Sequence, residues 1–214
     1  MLKDIIKKIK YRVRNRLILL LIFERLAAIG FNIRLYYLTQ EFLFDEIDLN
    51  LKPELAPLEA DFLSSSEIKN IYDHPENKLS MRDNKNFIEE RCLCFALKYN
   101  GEILTYLWCN LDRCHGLYPF PLKEDEAYLS GAFTFRAYRG KNLAPFLRYQ
   151  VYKHLNQTGK TRIYSLTDVF NTPAIKFKNK LKAKPLKIII NIMFFNKYNW
   201  NFTIGSPKHF VITM

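Results

Sequence analysis

The sequence predicts an α/β fold, built as one mid-sized domain over residues 31–214 behind an N-terminal helical extension, residues 1–30. Three observations carry that reading. Asn100-Gly101 separates two alternating apolar runs, 92–99 and 102–110, the sharpest short-range signal for a β-hairpin. A strand-like run at 128–135 turns through Tyr138-Arg139-Gly140-Lys141-Asn142-Leu143-Ala144 into a helix-like run at 145–155. A second strand-helix unit follows, with a strand at 162–169 and a helix opening after Asn171.

The remaining elements read in order. Residues 31–44 hold Ile33, Leu35, Tyr36, Tyr37 and Leu38 and predict a first strand. Residues 45–62 are acidic and carry Pro53 and Pro57, which predicts a loop with short turns. Ser64-Ser65-Ser66-Glu67 is an N-cap signature for a helix through Tyr72, and 83–90 predicts another short helix. Residues 187–195 and 200–204 predict a closing antiparallel pair.

Composition fits this plan. In 214 residues, an apolar share of 49% supplies a sizeable core, and the seven Gly and nine Pro are too scattered for a fibrous or disordered chain. No repeat or low-complexity segment is present. Cys92, Cys94, Cys109 and Cys114 form no Cys-x-x-Cys pair, so buried thiols in a reducing cytosol are expected and no metal. The alternative is a zinc site joining these cysteines to His115.

The net charge of +12 is concentrated. Lys3, Lys7, Lys8, Lys10, Arg12, Arg14 and Arg16 crowd the start of the chain, and Lys176, Lys178, Lys180, Lys182, Lys184 and Lys187 form a second group. Such a surface gathers anions. Without helix-turn-helix spacing, a zinc-finger ligand set or an RNP-type motif, the charge argues against nucleic acid as the main partner.

Ile5, Ile6, Ile9 and Val13 recur at helical spacing, and the apolar run 17–23 follows before Glu24 and Arg25. Seven uncharged residues cannot cross a bilayer, which needs about 20. The sequence favours a helix packed on the domain with a solvated basic face. Its alternative lays residues 1–25 on an anionic membrane surface. No small-residue cleavage site suggests a leader, so the expected location is cytoplasmic, with peripheral contact at the inner face of the membrane as the variant. Oligomeric state is not legible in the sequence.

The basic loop between strand and helix carries the chemistry. The first N–H groups of a helix lack intrahelical partners and sit at the positive end of its dipole, which suits a phosphate or pyrophosphate. Arg139 and Lys141 add counter-charge.

This loop resembles the acyl-coenzyme-A pyrophosphate loop of the GNAT acetyltransferases, Gln/Arg-x-x-Gly-x-Gly/Ala. Arg139 stands first, Ala144 last, and Asn142 replaces a Gly. Asn enters positive φ at low cost, so the loop can still curl. Asn171-Thr172-Pro173-Ala174-Ile175-Lys176-Phe177-Lys178-Asn179-Lys180-Leu181 looks like the family's Asn-x-x-Ala-x-x-Phe-(Tyr)-x-Lys-Leu-Gly-Phe segment, with Lys182-Ala183 in place of Gly-Phe. The resemblance covers residues 87–195.

It implies a GNAT-like acyl-CoA N-acyltransferase fold, a mixed, mostly antiparallel central sheet with flanking helices. It further implies acetyl-CoA as co-substrate and a small-molecule amine as acceptor. Two strands of the family splay apart and the thioester arm lies between them, bonded to main-chain groups that map to Phe133, Thr134 and Phe135. Pyrophosphate maps to the N–H groups of Gly140, Lys141, Asn142, Leu143 and Ala144 with Arg139 beside them, and Asn171 maps to the cofactor arm. Lys178 stands where many members place a Tyr that protonates the leaving thiolate; binding of the cofactor phosphates and a solvated lysine are the other readings.

Candidates for the remaining acid-base work are Tyr128, Glu126 and Asp168. Each has a plainer reading: core tyrosine, solvated loop carboxylate and helix cap. Asp125 is a further candidate that also reads as a solvated loop carboxylate, His115 one that also reads as a lone loop histidine, and Tyr106, Trp108, Tyr118 and Phe120 either line an acceptor pocket or fill the core. The resemblance therefore implies transfer of an acetyl group to a small amine, and the basic surface favours an anionic one such as an amino sugar. The alternative is a non-catalytic or membrane-surface module that keeps the fold.

Overall fold

A computed structural model describes residues 17–42, 57–76, 92–114 and 118–205. The expected helix at 83–90, most of the expected loop at 45–62, the basic segment 1–16 and His115 lie outside those residues.

The elements run α1 (Leu17–Ala28), β1 (Phe31–Glu41), β2 (Glu59–Phe62), α2 (Ser65–Asp73), β3 (Leu93–Tyr99) and β4 (Glu102–Asn110). Then come β5 (Arg113–Cys114), β6 (Phe120–Pro121), β7 (Glu126–Thr134), α3 (Leu143–Gln157), β8 (Arg162–Asp168), α4 (Thr172–Lys180), β9 (Lys184–Phe194) and β10 (Tyr198–Ile204). The main sheet has the order β10-β9-β1-β8-β7-β4-β3-β2. Within it only β7 and β8 pair in parallel. This is the mixed, mostly antiparallel sheet that the sequence implied.

Local chemistry explains the elements. Asn100 (φ 50°) and Gly101 (φ 79°) both take positive φ, which matches the right-handed twist of β3 and β4 across a two-residue turn. Ser64 opens α2 with a capping box: its hydroxyl accepts from Glu67 N, and its own N–H donates to Glu67 Oε2 at 2.8 Å. Residues 59–62 depart from the expected loop. They form the edge strand β2, because Phe62 packs edge-on to Phe95 with centroids 4.8 Å apart.

Helices cover both faces. Leu143, Leu147, Val151 and Leu155 recur every fourth residue of α3 and bury against Leu97, Leu107, Leu129 and Ile163 of the sheet. Each such side chain contributes about 1.5–3 kcal/mol of apolar burial. On the opposite face Ile71 of α2 packs among Ala96, Tyr106, Trp108 and Phe135. Tyr106 and Trp108, offered as acceptor-pocket residues, are therefore core. Among the described residues no helix is long and apolar enough to cross a membrane.

One placement was not foreseen. β1 does not sit at an edge; it fills the slot between β8 and β9, antiparallel to both. That carries Glu41 to the middle of the sheet, opposite Ile163.

Candidate functional site

The parallel ladder of β7 and β8 is short. It runs from Glu126↔Arg162 to Tyr128↔Tyr164, and beyond it no further pairing joins the two strands. Each arm is then held by its outer neighbour, β7 by β4 as far as Thr105↔Thr134 and β8 by β1 as far as Tyr36↔Asp168. The result is a fork in the sheet.

A register shift between Tyr106 and Trp108 marks a bulge in the inner arm, where Gly131 adopts φ 56°. A Cβ at Gly131 would lie 2.7 Å from Trp108 Cδ1, so this close approach needs glycine. An isolated glycine inside a strand pattern was the available signal for this bulge.

At the end of that arm the chain makes a 3₁₀ turn, Arg136–Tyr138, and then the basic loop. Gly140 (φ 75°) and Asn142 (φ 59°) both take left-handed geometry, so Asn142 does what was asked of a glycine. Asn142 stands at the N-cap of α3 without making a side-chain cap; its Oδ1 accepts from Lys180 Nζ of α4 at 2.8 Å instead. Pro145, at the third helical position, brings no N–H, and Leu143 and Ala144 precede it. Arg139 Nε donates to Thr134 O at 2.9 Å, and its guanidinium lies 5.5 Å from the Phe133 centroid. Lys141 lies over Tyr138 at 5.5 Å.

The thioester-arm expectation narrows. Phe135 N donates to Leu104 O at 3.1 Å and Phe133 O accepts from Thr105 Oγ1 at 2.7 Å, so these groups face β4. Strand alternation leaves Thr134, whose carbonyl meets Arg139, facing the fork.

The proposed acid-base residues divide between the two faces. Ala127 and Leu129 join the core beneath α3, which turns Glu126 and Tyr128 to the other face. Burial pushes the Tyr128 hydroxyl well above the ordinary phenol range, and Cys114, with which it shares a hydrogen bond, adds to the effect. The phenol therefore keeps its proton at neutral pH. Glu126 is the first residue of β7, not a solvated loop carboxylate: it is buried, accepts from Lys123 N at 2.9 Å and lies 3.3 Å from Arg162 Nη1. Asp125 is the more open of the two, half-buried and paired with Arg162 at 2.7 and 2.8 Å. Asp168 Oδ1 accepts from Phe170 N at 2.7 Å and so holds the turn into α4, where Asn171 caps the helix by accepting from Ala174 N at 3.2 Å. Phe120 packs edge-on to Tyr164, and Tyr118 packs on Phe120, with centroids 6.0 Å apart in each pair.

Lys178 lies on the helical face and is not solvated. Its ammonium donates to Ser165 Oγ at 2.6 Å and Thr39 Oγ1 at 3.0 Å, and it stands 3.5 Å from Glu41 Oε1. Glu41 also receives Arg148 Nε and Nη2, each at 2.7 Å, and the hydroxyls of Tyr152 and Ser165. Burial raises the Glu41 carboxyl, yet Arg148 and Lys178 outweigh it and hold the group well below the carboxylate range. Burial lowers the Lys178 ammonium to about 8, partly countered by Glu41.

Glu41, Arg148, Tyr152 and Ser165 went unnoticed in the sequence. Arg148 and Tyr152 stand one position beyond the apolar column of α3, which signals a buried polar stripe. Their partner lies 107 and 111 positions away, a separation that only the placement of β1 closes.

Cys94, Cys109 and Cys114 are buried and unbridged, and burial pushes the Cys109 and Cys114 thiols up to about 12. Among the described residues no group of three or more His, Cys, Asp or Glu is placed to hold a metal.

A forked pair of parallel strands leading into a left-handed basic loop and a helix N-terminus defines a class. The model of the acetyltransferase (GNAT) family matches residues 57–182, more than half of the chain, and the chain belongs to that family. Its fold is similar to three solved structures. The GNAT-family acetyltransferase of Colwellia psychrerythraea is 17% identical with a TM-score of 0.54, over 77% of this chain and 57% of that one. The GCN5-related N-acetyltransferase of Sphaerobacter thermophilus is 12% identical with a TM-score of 0.53, over 85% and 56%. The GCN5-related N-acetyltransferase-like protein of Streptococcus suis is 14% identical with a TM-score of 0.50, over 81% and 66%. This chain thus spans 56% to 66% of the length of those structures. Comparison with curated proteins finds no match.

Proposed function

We propose that this chain is an N-acetyltransferase that moves the acetyl group of acetyl-CoA to the amine of a small, anionic acceptor. One observation carries the reading: the left-handed curl at Gly140 and Asn142 opens α3 at the mouth of the β7–β8 fork. A curl of that kind points successive N–H groups at one place, which suits a diphosphate at the positive end of a helix.

The residues present fit the co-substrate. The N–H groups of Gly140 to Ala144 would receive pyrophosphate, Arg139 and Lys141 would balance its charge, and Thr134 would offer main-chain bonds to the pantetheine arm. Acetyl-CoA supplies an activated thioester carbonyl. The chain supplies orientation and proton handling: Lys178 from the helical face as donor to sulfur, and Tyr128 as a donor on the other face. Tyr164, Phe120 and Tyr118 form an aromatic wall on that second face, suited to a ring-bearing acceptor. The net charge of +12 favours an anionic one such as a phosphate-linked amino sugar. In this reading the catalytic domain is 31–214, acts in the cytoplasm and needs no metal.

The experiment is release of free thiol from acetyl-CoA in the presence of a panel of amines, amino sugars with and without phosphate included. Turnover with an amine supports the enzyme. Thermal stabilisation by coenzyme A with no turnover across the panel favours a binding module.

A second reading adds to the first. Ile18, Leu19, Leu21 and Ile22 of α1 are exposed, directly after the seven cations between Lys3 and Arg16. A run of cations followed in sequence by exposed apolar side chains suits an anionic membrane. Co-sedimentation with anionic vesicles, compared before and after deletion of residues 1–25, decides it: unchanged pelleting removes the idea.

A further inference from the structure

Glu41 comes from β1, outside the residues that match the family model, 57–182. Its neighbour Ser165 is the first residue of β8 past the last β7–β8 pair, Tyr128↔Tyr164, so the cluster sits at the apex of the fork.

The charge count there is uneven. One carboxylate faces two cations, Arg148 and Lys178, with Glu41 0%, Arg148 2% and Lys178 5% exposed. A structural ion pair is already complete without Lys178, because Arg148 meets both carboxylate oxygens and Tyr152 and Ser165 supply further donors. The lysine adds a second buried cation, which Thr39, Ser165 and the shared Glu41 hold in place, and it leaves the cluster one positive charge in excess. A surplus positive charge at the apex of a fork is a place for an anion. Transfer of an acyl group from a thioester creates one there, the departing thiolate.

We infer that Glu41 is a positioning residue for acyl transfer: it fixes the Lys178 ammonium at the fork apex, where that ammonium gives its proton to the leaving sulfur. The inference rests on the acetyl-transfer reading above. In the step, the C–N bond to the amine forms and the C–S bond breaks. One proton passes from Lys178 Nζ to sulfur, giving the free thiol. The acetylated amine sheds one proton to water, and neutral Lys178 regains one from water, so atoms and charge balance.

The groups facing Lys178 support this from every side. Thr39 and Glu41 approach from β1, Ser165 from β8, and Arg148 and Tyr152 from α3. Burial and Arg148 weaken the hold of the ammonium on its proton, and Glu41 restores part of it, leaving it at about 8. A thiol ionises near 8.5, and near-matched donors and acceptors exchange protons efficiently.

The test uses coenzyme A itself. The ultraviolet absorbance of its thiolate is followed against pH, free and bound to the full chain, with binding measured separately by calorimetry. Bound to the native protein, the thiol is expected to ionise roughly one pH unit lower than in solution, because an ammonium lies beside it. Lys178→Met removes the shift while coenzyme A affinity stays within about threefold, since the phosphate contacts are untouched. Glu41→Gln removes it too, because the ammonium loses its anchor and its proton. Should that variant fail to fold, Glu41→Asp gives a partial loss of the shift. Normal ionisation of tightly bound coenzyme A in the native protein overturns the inference and leaves the acetyl-transfer reading standing. Absence of coenzyme A binding overturns both.

Discussion

Arg148 Nε and Nη2 donate to Glu41 Oε2 and Oε1, each at 2.7 Å, and so lock α3 to β1 through a two-point charged contact. The pair lies wholly inside the protein, beneath the helix that begins at the basic loop. Any change in β1 is therefore felt at the fork and at the helix that opens the candidate cofactor site.

Glu41→Gln leaves Arg148 and Lys178 buried without their anion. We expect a loss of about 3–5 kcal/mol in unfolding free energy. The carboxyl is depressed in the folded state, so its contribution is present above its ordinary value of 4.5 and fades as pH falls through the lower folded value. Urea unfolding at pH 7 and at about pH 2 checks both points. A loss under about 1 kcal/mol at pH 7 contradicts the account.

Lys178→Met should move stability in the opposite direction. The folded protein releases this proton at about 8 and the unfolded chain holds it to 10.5, so unfolding takes up a proton between those values. Native stability therefore rises with pH across that window, and the Met variant lacks the rise. At pH 7 the variant is expected to be as stable as the native protein or more so, by up to about 3 kcal/mol. A melting temperature several degrees lower contradicts this.

Gly131→Ala places a methyl group against Trp108 in a backbone conformation that L side chains avoid. The expected cost is about 1–3 kcal/mol, with weaker coenzyme A binding as the bulge shifts the inner arm of the fork. Native stability and affinity in this variant would mean that the bulge does not shape the site.

Asn142→Gly should keep coenzyme A binding, because glycine reaches the same positive φ freely. Asn142→Val should lose both stability, by about 1–2 kcal/mol, and affinity, because a branched side chain resists that conformation. Equal behaviour of the two variants argues against a curled loop.

Much of this was legible from local signals. The Asn100-Gly101 turn, the Ser64 capping box and the Arg139–Ala144 loop each depend on a few adjacent residues, and each stands where it was expected. What stayed hidden depends on distant pairing. Nothing in the run from Phe31 to Glu41 says that it enters between β8 and β9, so Glu41 reads as one polar residue near the end of a predicted strand rather than as the anchor of a buried cluster. Lys178 was a candidate through the family resemblance, but its burial was hidden for the same reason. One lysine among six nearby reads as surface charge until its hydroxyl and carboxylate partners are brought from Thr39, Glu41 and Ser165.

The central claim is that the loop from Arg139 to Ala144 cradles the diphosphate of coenzyme A. Titration calorimetry with coenzyme A, on the native chain and on Arg139→Glu, tests it most directly. The account predicts saturable heat with one site, and an affinity at least roughly tenfold weaker in the charge-reversed variant, about 1.4 kcal/mol. No heat with the native chain, or equal affinity in both proteins, contradicts it.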